Sequence, residues 1–245
     1  MRNRNLTYLL LLFLSTSVYG QFNVNPVENI PTDDYKKFNW GYYLGGNAYN
    51  FKFNYSDTYP TTANGGFESV QVETSNGFLV GLVGELRLND NFDLRFEPGL
   101  YSTKRDLYFP IDLSAGDPLR SVKSTFLNFP FLIKYGAKRI GNWRPFVIGG
   151  PSLSYNMSSN QNSPDSIESG VFRLKSLTYN YEIGVGVEFY LPYFKFTPSI
   201  RGIFGLVDEM VHDDLSIPKT KEIRNYSDQI SSALTRGLFI VLTFE

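Results

Sequence analysis

The chain has 245 residues, of which 2 are Trp, 17 Tyr and 21 Phe, so aromatic residues (16%) nearly match charged ones (19%). So much apolar material excludes a disordered chain, and a net charge of −1 leaves no electrostatic footprint for nucleic acid. With no Cys and a single His, disulfides, thiolate metal sites, Cys nucleophiles and a lipoprotein anchor are excluded, and little imidazole chemistry is left.

Residues 1–20 read as a signal peptide. Arg2 and Arg4 form a positive n-region, Leu6 to Leu14 an apolar core, and Val18 and Gly20 sit at −3 and −1 of a cleavage point before Gln21. That core is too short to span a bilayer. Residues 21–38, with Pro26, Pro31, Asp33, Asp34, Lys36 and Lys37, show no period and read as a periplasmic N-terminal segment. Tyr35 lies in the same stretch. Asp33, Asp34, Tyr35, Lys36 and Lys37 are its candidate contacts with partners.

From residue 39 to 245 the spacing predicts eight strands, near 39–54, 77–89, 91–104, 120–138, 142–157, 172–190, 193–206 and 233–245. In the second, Phe78, Val80, Leu82, Gly84, Leu86 and Leu88 share one face, and Glu85 and Arg87 lie on the other. The third sets Phe92, Leu94, Phe96, Pro98 and Leu100 against Asp93, Arg95 and Glu97. The fourth sets Leu127, Phe129, Phe131, Ile133 and Tyr135 against Lys134. In the sixth, odd-numbered Leu177 to Phe189 oppose Glu182 and Glu188; in the seventh, Phe194 to Phe204 oppose Lys195 and Arg201. Leu238, Ile240, Leu242 and Phe244 form the apolar face of the eighth. In the first strand Trp40, Tyr42 and Leu44 share a parity that Phe51 and Phe53 do not, which a bulge near Tyr49 would explain.

Over the six well-alternating strands the apolar faces hold 33 positions without a charge, where a 19% charged composition supplies about six. The opposite faces hold ten charges in 28 positions, five acidic and five basic. A soluble sandwich or lipocalin has the reverse arrangement, apolar inside and charged outside. A membrane barrel faces lipid with apolar residues and fills its lumen with polar ones. The expected fold is therefore all-β, an eight-stranded antiparallel transmembrane β-barrel of the outer-membrane type. Glu85, Arg87, Asp93, Arg95, Glu97, Lys134, Glu182, Glu188, Lys195 and Arg201 form its expected lumen charge network, a structural one. Links after the second, fourth and sixth strands are short, at 89–91, 139–142 and 191–193; the alternate ones, at 55–76, 105–119, 158–171 and 207–232, are long. Short periplasmic turns, long external loops and periplasmic termini follow.

Eight strands leave a lumen that side chains fill, so a diffusion pore is not expected. Glu182 and Glu188 lie six residues apart on one face, about 20 Å along a strand, too far to form an acid/base pair. The loop with Asp208, Glu209, His212, Asp213 and Asp214 has three readings: a solvated acidic loop, a rim site with His212 as base, or a hard-cation site such as Ca²⁺. Its spacing matches no EF-hand. Gly184-Val185-Gly186 and Gly149-Gly150 lie within strands, where small residues leave room for Arg and aromatic neighbours, and no helix follows to hold a phosphate.

Four stretches carry a resemblance: Tyr35-Lys36-Lys37-Phe38-Asn39-Trp40-Gly41-Tyr42-Tyr43-Leu44-Gly45-Gly46-Asn47; Phe92-Asp93-Leu94-Arg95-Phe96-Glu97-Pro98-Gly99-Leu100; Phe129-Pro130-Phe131-Leu132-Ile133-Lys134-Tyr135 with Arg144-Pro145-Phe146; and Leu191-Pro192-Tyr193-Phe194-Lys195-Phe196-Thr197-Pro198. Together they resemble the PorT (SprT) outer-membrane proteins of the Bacteroidetes type IX secretion system, over essentially the whole mature chain. The chain ends Phe244-Glu245, where outer-membrane barrels usually end in an aromatic. The resemblance implies a non-enzymatic outer-membrane protein needed to export proteins with the type IX C-terminal signal and, in gliding species, motility adhesins. It supplies no catalytic residues, cofactor or metal. The partners it implies are outer-membrane lipid and other type IX components, with no nucleic acid and no small-molecule substrate. A generic structural or adhesive barrel, a rim enzyme and a soluble periplasmic barrel stay open as alternatives.

Overall fold

The computed structural model describes residues 27–55, 70–108, 119–161, 172–212 and 230–245. The signal-peptide stretch, residues 21–26, and Asp213 and Asp214 lie outside the described residues. Among the described residues, nine antiparallel strands form one sheet: β1 (Phe38–Tyr55), β2 (Gln71–Arg87), β3 (Phe92–Phe96), β4 (Gly99–Tyr108), β5 (Leu119–Gly136), β6 (Trp143–Asn156), β7 (Leu177–Tyr190), β8 (Lys195–Gly205) and β9 (Ile230–Phe244). β1 pairs with both β2 and β9, which closes the sheet into a ring without an edge.

β3 and β4 lie between the same two neighbours, β2 and β5, and are two halves of one stave. The barrel thus has the eight staves expected, with the third one split. The break falls at Glu97-Pro98, because proline has no N–H to give the ladder. Its carbonyl still accepts from the Leu82 N–H at 2.9 Å, and the Glu97 N–H donates to the Pro130 carbonyl at 3.2 Å. Pro198 acts likewise on β8. There the β7–β8 register skips from Gly186↔Ser199 to Phe189↔Phe196.

The bulge expected near Tyr49 does not occur. β1 runs in unbroken register with β9 from Tyr42↔Phe244 to Asn54↔Ser232 and shifts only at Asn54/Tyr55. Tyr43, Tyr49 and Phe51 all face inward and are buried. What changes along β1 is chemistry, not parity. The outward residues run from Trp40, Tyr42 and Leu44 to the polar Asn50, Lys52 and Asn54. The inward residues run from Asn39 and Tyr43 to Phe51 and Phe53.

This reversal divides the barrel into two zones. Near the short turns, Trp40 (77% exposed), Leu82 (64%), Ile183 (59%) and Ile240 (56%) belong to an outward belt too large and too apolar for a water-facing wall. That belt faces lipid. Strands of 17–18 residues such as β1, β2 and β5 outrun the 9–11 residues that cross a bilayer. Their upper parts rise into water, where polar residues turn outward and an apolar core forms inside.

Candidate functional site

Near the turns, alternation points charged side chains into a space too narrow for water, and the register pairs them by sign. Glu85 lies opposite Arg95, Arg87 opposite Asp93, Asp93 opposite Lys134, and Arg144 opposite Glu188. Burial of such charges is tolerated only with complete pairing. Lys134 Nζ lies 2.5 Å from Glu188, 2.6 Å from Glu85 and 3.1 Å from Asp93. Lys195 Nζ lies 3.3 Å from Glu245, 3.4 Å from Glu85 and 3.5 Å from Glu188. Arg95 Nε meets Glu97 at 2.8 Å, and Arg201 forks onto the same Glu97 through both its terminal nitrogens. Arg144 reaches Asp93 (3.6 Å) and Glu188 (3.7 Å).

The N-terminal segment completes this plug. Pro31–Tyr35 forms one 3-10 turn that lies across the turn end of the barrel. Asp33 is buried and reaches Lys195 at 3.8 Å. Arg87 donates to the carbonyls of Asp33 and Asp34. Arg139 pairs with the Asp34 carboxylate at 2.9 Å, donates to the Asn29 carbonyl and stacks 3.8 Å over Tyr190. Among the described residues, six carboxylates (Asp33, Glu85, Asp93, Glu97, Glu188, Glu245) thus meet six cations (Arg87, Arg95, Lys134, Arg144, Lys195, Arg201). Glu85, Glu188 and Glu245 bring carboxylate oxygens within 4.8 Å of one another. Lys195 reaches all three of these acids and Lys134 two of them, so ammonium groups face the carboxylate cluster.

Above the plug lies a hydrogen-bonded layer of Tyr, Asn and Ser side chains around Glu182. Tyr43 donates to the Glu97 carbonyl at 3.0 Å and meets Tyr101 at 3.3 Å. Glu182 accepts from Asn128 (2.8 Å), which accepts from Ser154 (2.6 Å), which accepts from Asn180 (2.9 Å). Glycines admit the large groups: a Cβ at Gly184 would stand 2.7 Å from Arg201 Cγ, and one at Gly186 2.5 Å from the Phe146 ring. Gly150 instead abuts the Phe131 backbone, and Gly149 meets the backbone around Glu182 and Ile183.

The loop end is closed by an apolar core. Phe51, Leu107, Val122 and Ile230 come from the strands, and Phe172, Leu174 and Met210 from two connecting segments joined by a Leu174↔Met210 bridge. Asp208 anchors this lid, accepting from the backbone N–H of Ala233 (2.8 Å) and Met210 (3.1 Å). His212 sits 2.9 Å from Asp208 and is half exposed. Glu209 points inward and is buried against Thr235, and burial raises its carboxyl above the usual carboxylate range. Among the described residues the acidic side chains of this loop diverge: Asp208 serves the backbone and Glu209 the interior, and these two form no shared cation cage.

Of the expected lumen charges, nine meet in the plug, while Glu182 stands apart in the layer above. Of the expected partner contacts, Asp33 and Asp34 are spent on the barrel itself; Tyr35 (87% exposed), Lys36 and Lys37 face outward. Four residues escaped sequence reasoning. Arg144 and Glu245 continue the inward parity of their strands, and Arg105 that of Arg95 and Glu97, so parity carried to the strand ends finds them. Arg139 sits on a turn, where no period exists to read.

Solved outer-membrane proteins resemble this fold. The N-terminal β-barrel domain of Pseudomonas aeruginosa OprF is 16% identical, with a TM-score of 0.36 over 82% of this chain and 97% of that one. OprG from Pseudomonas aeruginosa is 8% identical, with a TM-score of 0.44 over 83% and 94%. AlkL, solved in DMPC lipid bilayers, is 9% identical, with a TM-score of 0.39 over 93% and 92%. No curated protein matches the sequence. Residues 19–211 match the family described as "Outer membrane protein beta-barrel domain". With that match across most of its length, a closed ring of strands and an outward apolar belt, the chain belongs to the outer-membrane β-barrel domain family.

Proposed function

We propose that this barrel is a non-enzymatic, non-conducting component of protein export by the type IX secretion system. In this reading the turn end and both termini face the periplasm. One observation carries the surface-acting part of the reading: the lumen is filled by paired charges at the turn end and by an apolar core at the loop end. A barrel so closed acts through its outside, by its lipid-facing aromatics, its external loops, or the exposed Tyr35, Lys36 and Lys37 beside its N-terminal turn. The link to export rests on the resemblance to PorT proteins carried by residues 35–47, 92–100, 129–135 with 144–146, and 191–198.

The test compares culture medium and periplasm of a clean deletion strain with its complemented parent. Cargo with type IX C-terminal signals should vanish from the medium and accumulate in the periplasm. Unchanged medium would leave a structural or adhesive barrel as the better reading. Substitution of Tyr35 and Lys37 by Ser then asks whether the outward side of the N-terminal turn takes part, because neither side chain seals the barrel.

A further inference from the structure

The apolar belt is not level. Near the short turns, Trp143, Phe189 and Phe196 stand side by side in outward parity on β6, β7 and β8. Two residues further from the turns, the same strands carry the smaller Pro145, Val187 and Pro198. The β7–β8 ladder is interrupted at this level, between Phe189↔Phe196 and Gly186↔Ser199. Two residues further still, Tyr135, Val147, Val185, Ile200 and Ile240 are paired in one row across five strands. The low row between two taller ones opens a groove of about 740 Å³ on the lipid-facing side.

This groove goes deeper than the gaps between belt side chains. Gly186 has no Cβ; one placed there would stand 2.5 Å from the Phe146 ring. Phe146 is buried on the inward parity, yet it lines the groove together with Gly186. Ser199 is also inward, and its hydroxyl is taken up by Arg201 Nε at 3.2 Å. Such a wall offers little to a polar ligand, and left empty it forfeits dispersion contacts. Its size falls within the range of about 300–1,000 Å³ usual for small-ligand sites. Because it opens inside the belt that faces lipid, hydrocarbon is what reaches it.

The turn side of the groove differs in chemistry. Ala137 lines it and donates its N–H to the Pro145 carbonyl at 2.9 Å. Lys138 follows at once and is exposed, and Trp143 heads the aromatic row on β6. Tryptophan sits at headgroup level in membrane proteins, and lysine there attracts anionic lipid. We infer that this groove binds one acyl chain of an anionic phospholipid from the leaflet on the turn side, with its headgroup held towards Lys138. The chain lies against Val187, Gly186 and the edge of Phe146, within the thickness of the barrel wall, and so is distinct from the lipid that surrounds the belt.

The inference is tested by native mass spectrometry of the full chain, purified in detergent and titrated with dioleoyl phosphatidylglycerol. One phospholipid should stay bound under conditions that strip the rest. Val187→Phe, which raises the floor of the groove from the lipid side, should weaken this binding at least about fivefold. Leu82→Phe, a similar enlargement on the outward face of β2, should leave it unchanged. Lys138→Gln should weaken it several-fold, and dioleoyl phosphatidylcholine should bind the unaltered protein less well; equal affinity in Lys138→Gln overturns the headgroup assignment. Retention that is the same in Val187→Phe as in the unaltered protein, or lowered equally by Leu82→Phe, overturns the site. So does a lipid-free dimer that Val187→Phe abolishes, which assigns the groove to a second copy of the chain. If Val187→Phe does not fold, Ile200→Trp, which fills the groove from its upper row, decides: unchanged affinity there overturns the site equally.

Discussion

Lys134 offers one ammonium group to three carboxylates, those of Glu85, Glu188 and Asp93, at 3.1 Å or less. Its removal leaves these three buried acids one positive charge short among their remaining cations. Lys134→Met, which keeps most of the volume, should therefore cost about 3–5 kcal/mol. Urea unfolding followed by the fluorescence of Trp40 and Trp143 measures this. Adding Glu188→Gln to that variant should recover part of the loss, since it removes one uncompensated charge. Lys134 and its partners were legible in the sequence, because strict alternation placed them on the charged face. Which acid meets which base was not, because register depends on strand stagger around the ring, and single-strand parity says nothing about it. Glu209 gives a second prediction at this scale. Burial raises its carboxyl, with Arg105 opposing. A carboxyl raised on folding holds its proton more tightly in the folded state. Its contribution to stability is therefore complete below the ordinary carboxylate range and is lost as pH rises through the raised value. Amide exchange over 206–212, corrected for its intrinsic pH dependence, should thus be slowest on the acid side. Glu209→Gln should flatten that profile, while His212→Ala, which only breaks the exposed pair with Asp208, should leave the Glu209 step in place.

The 3-10 turn at Pro31–Tyr35 shows how an element without a period is held. No repeat marks residues 27–37, so the sequence reads as a tail. Its fixings come from Arg87, Arg139, Asn142 and Lys195, which lie at strand ends and turns. Asn142 donates to the Val27 carbonyl at 2.9 Å and accepts from the Asn29 N–H at 2.8 Å. Arg139→Ala removes the Asp34 pair and the stack on Tyr190 together. Protease cleavage within 27–35 should then speed up at least about tenfold while the barrel stays folded, since cleavage follows the open population. Ile30 pulls the other way. Its φ of 46° places a β-branched residue in the left-handed region, at a cost of roughly 1–2 kcal/mol. Ile30→Gly should dock the segment more firmly and slow cleavage about fivefold. The strands show the opposite case. All eight staves were placed from the sequence, six of them by clear alternation, but the split of the third at Pro98 was not legible, because a proline on the lipid-facing parity keeps the pattern while breaking the ladder. The aromatic switch in the first strand misled for a different reason. It marks the level where the surroundings change from lipid to water, and parity continues straight through it.

At the scale of the whole molecule, two closures stand in series along one lumen, and they differ in kind. The lower one is electrostatic, six carboxylates against six cations, and includes Asp33 from outside the strands. The upper one is apolar, with Phe51, Phe172, Leu174 and Met210 at its centre. An ion that passed one would still meet the other. Removing part of the upper core therefore opens no path, since the charged plug below depends on none of its residues. In planar bilayers both the unaltered protein and a Phe51→Ala, Phe172→Ala variant should stay silent under voltage. Step currents from the variant alone would place the whole barrier in the apolar core and mean that the charged plug leaks. Silence in both leaves the lumen as scaffold, and confines whatever this barrel does for other proteins to the surfaces it shows to lipid and to water.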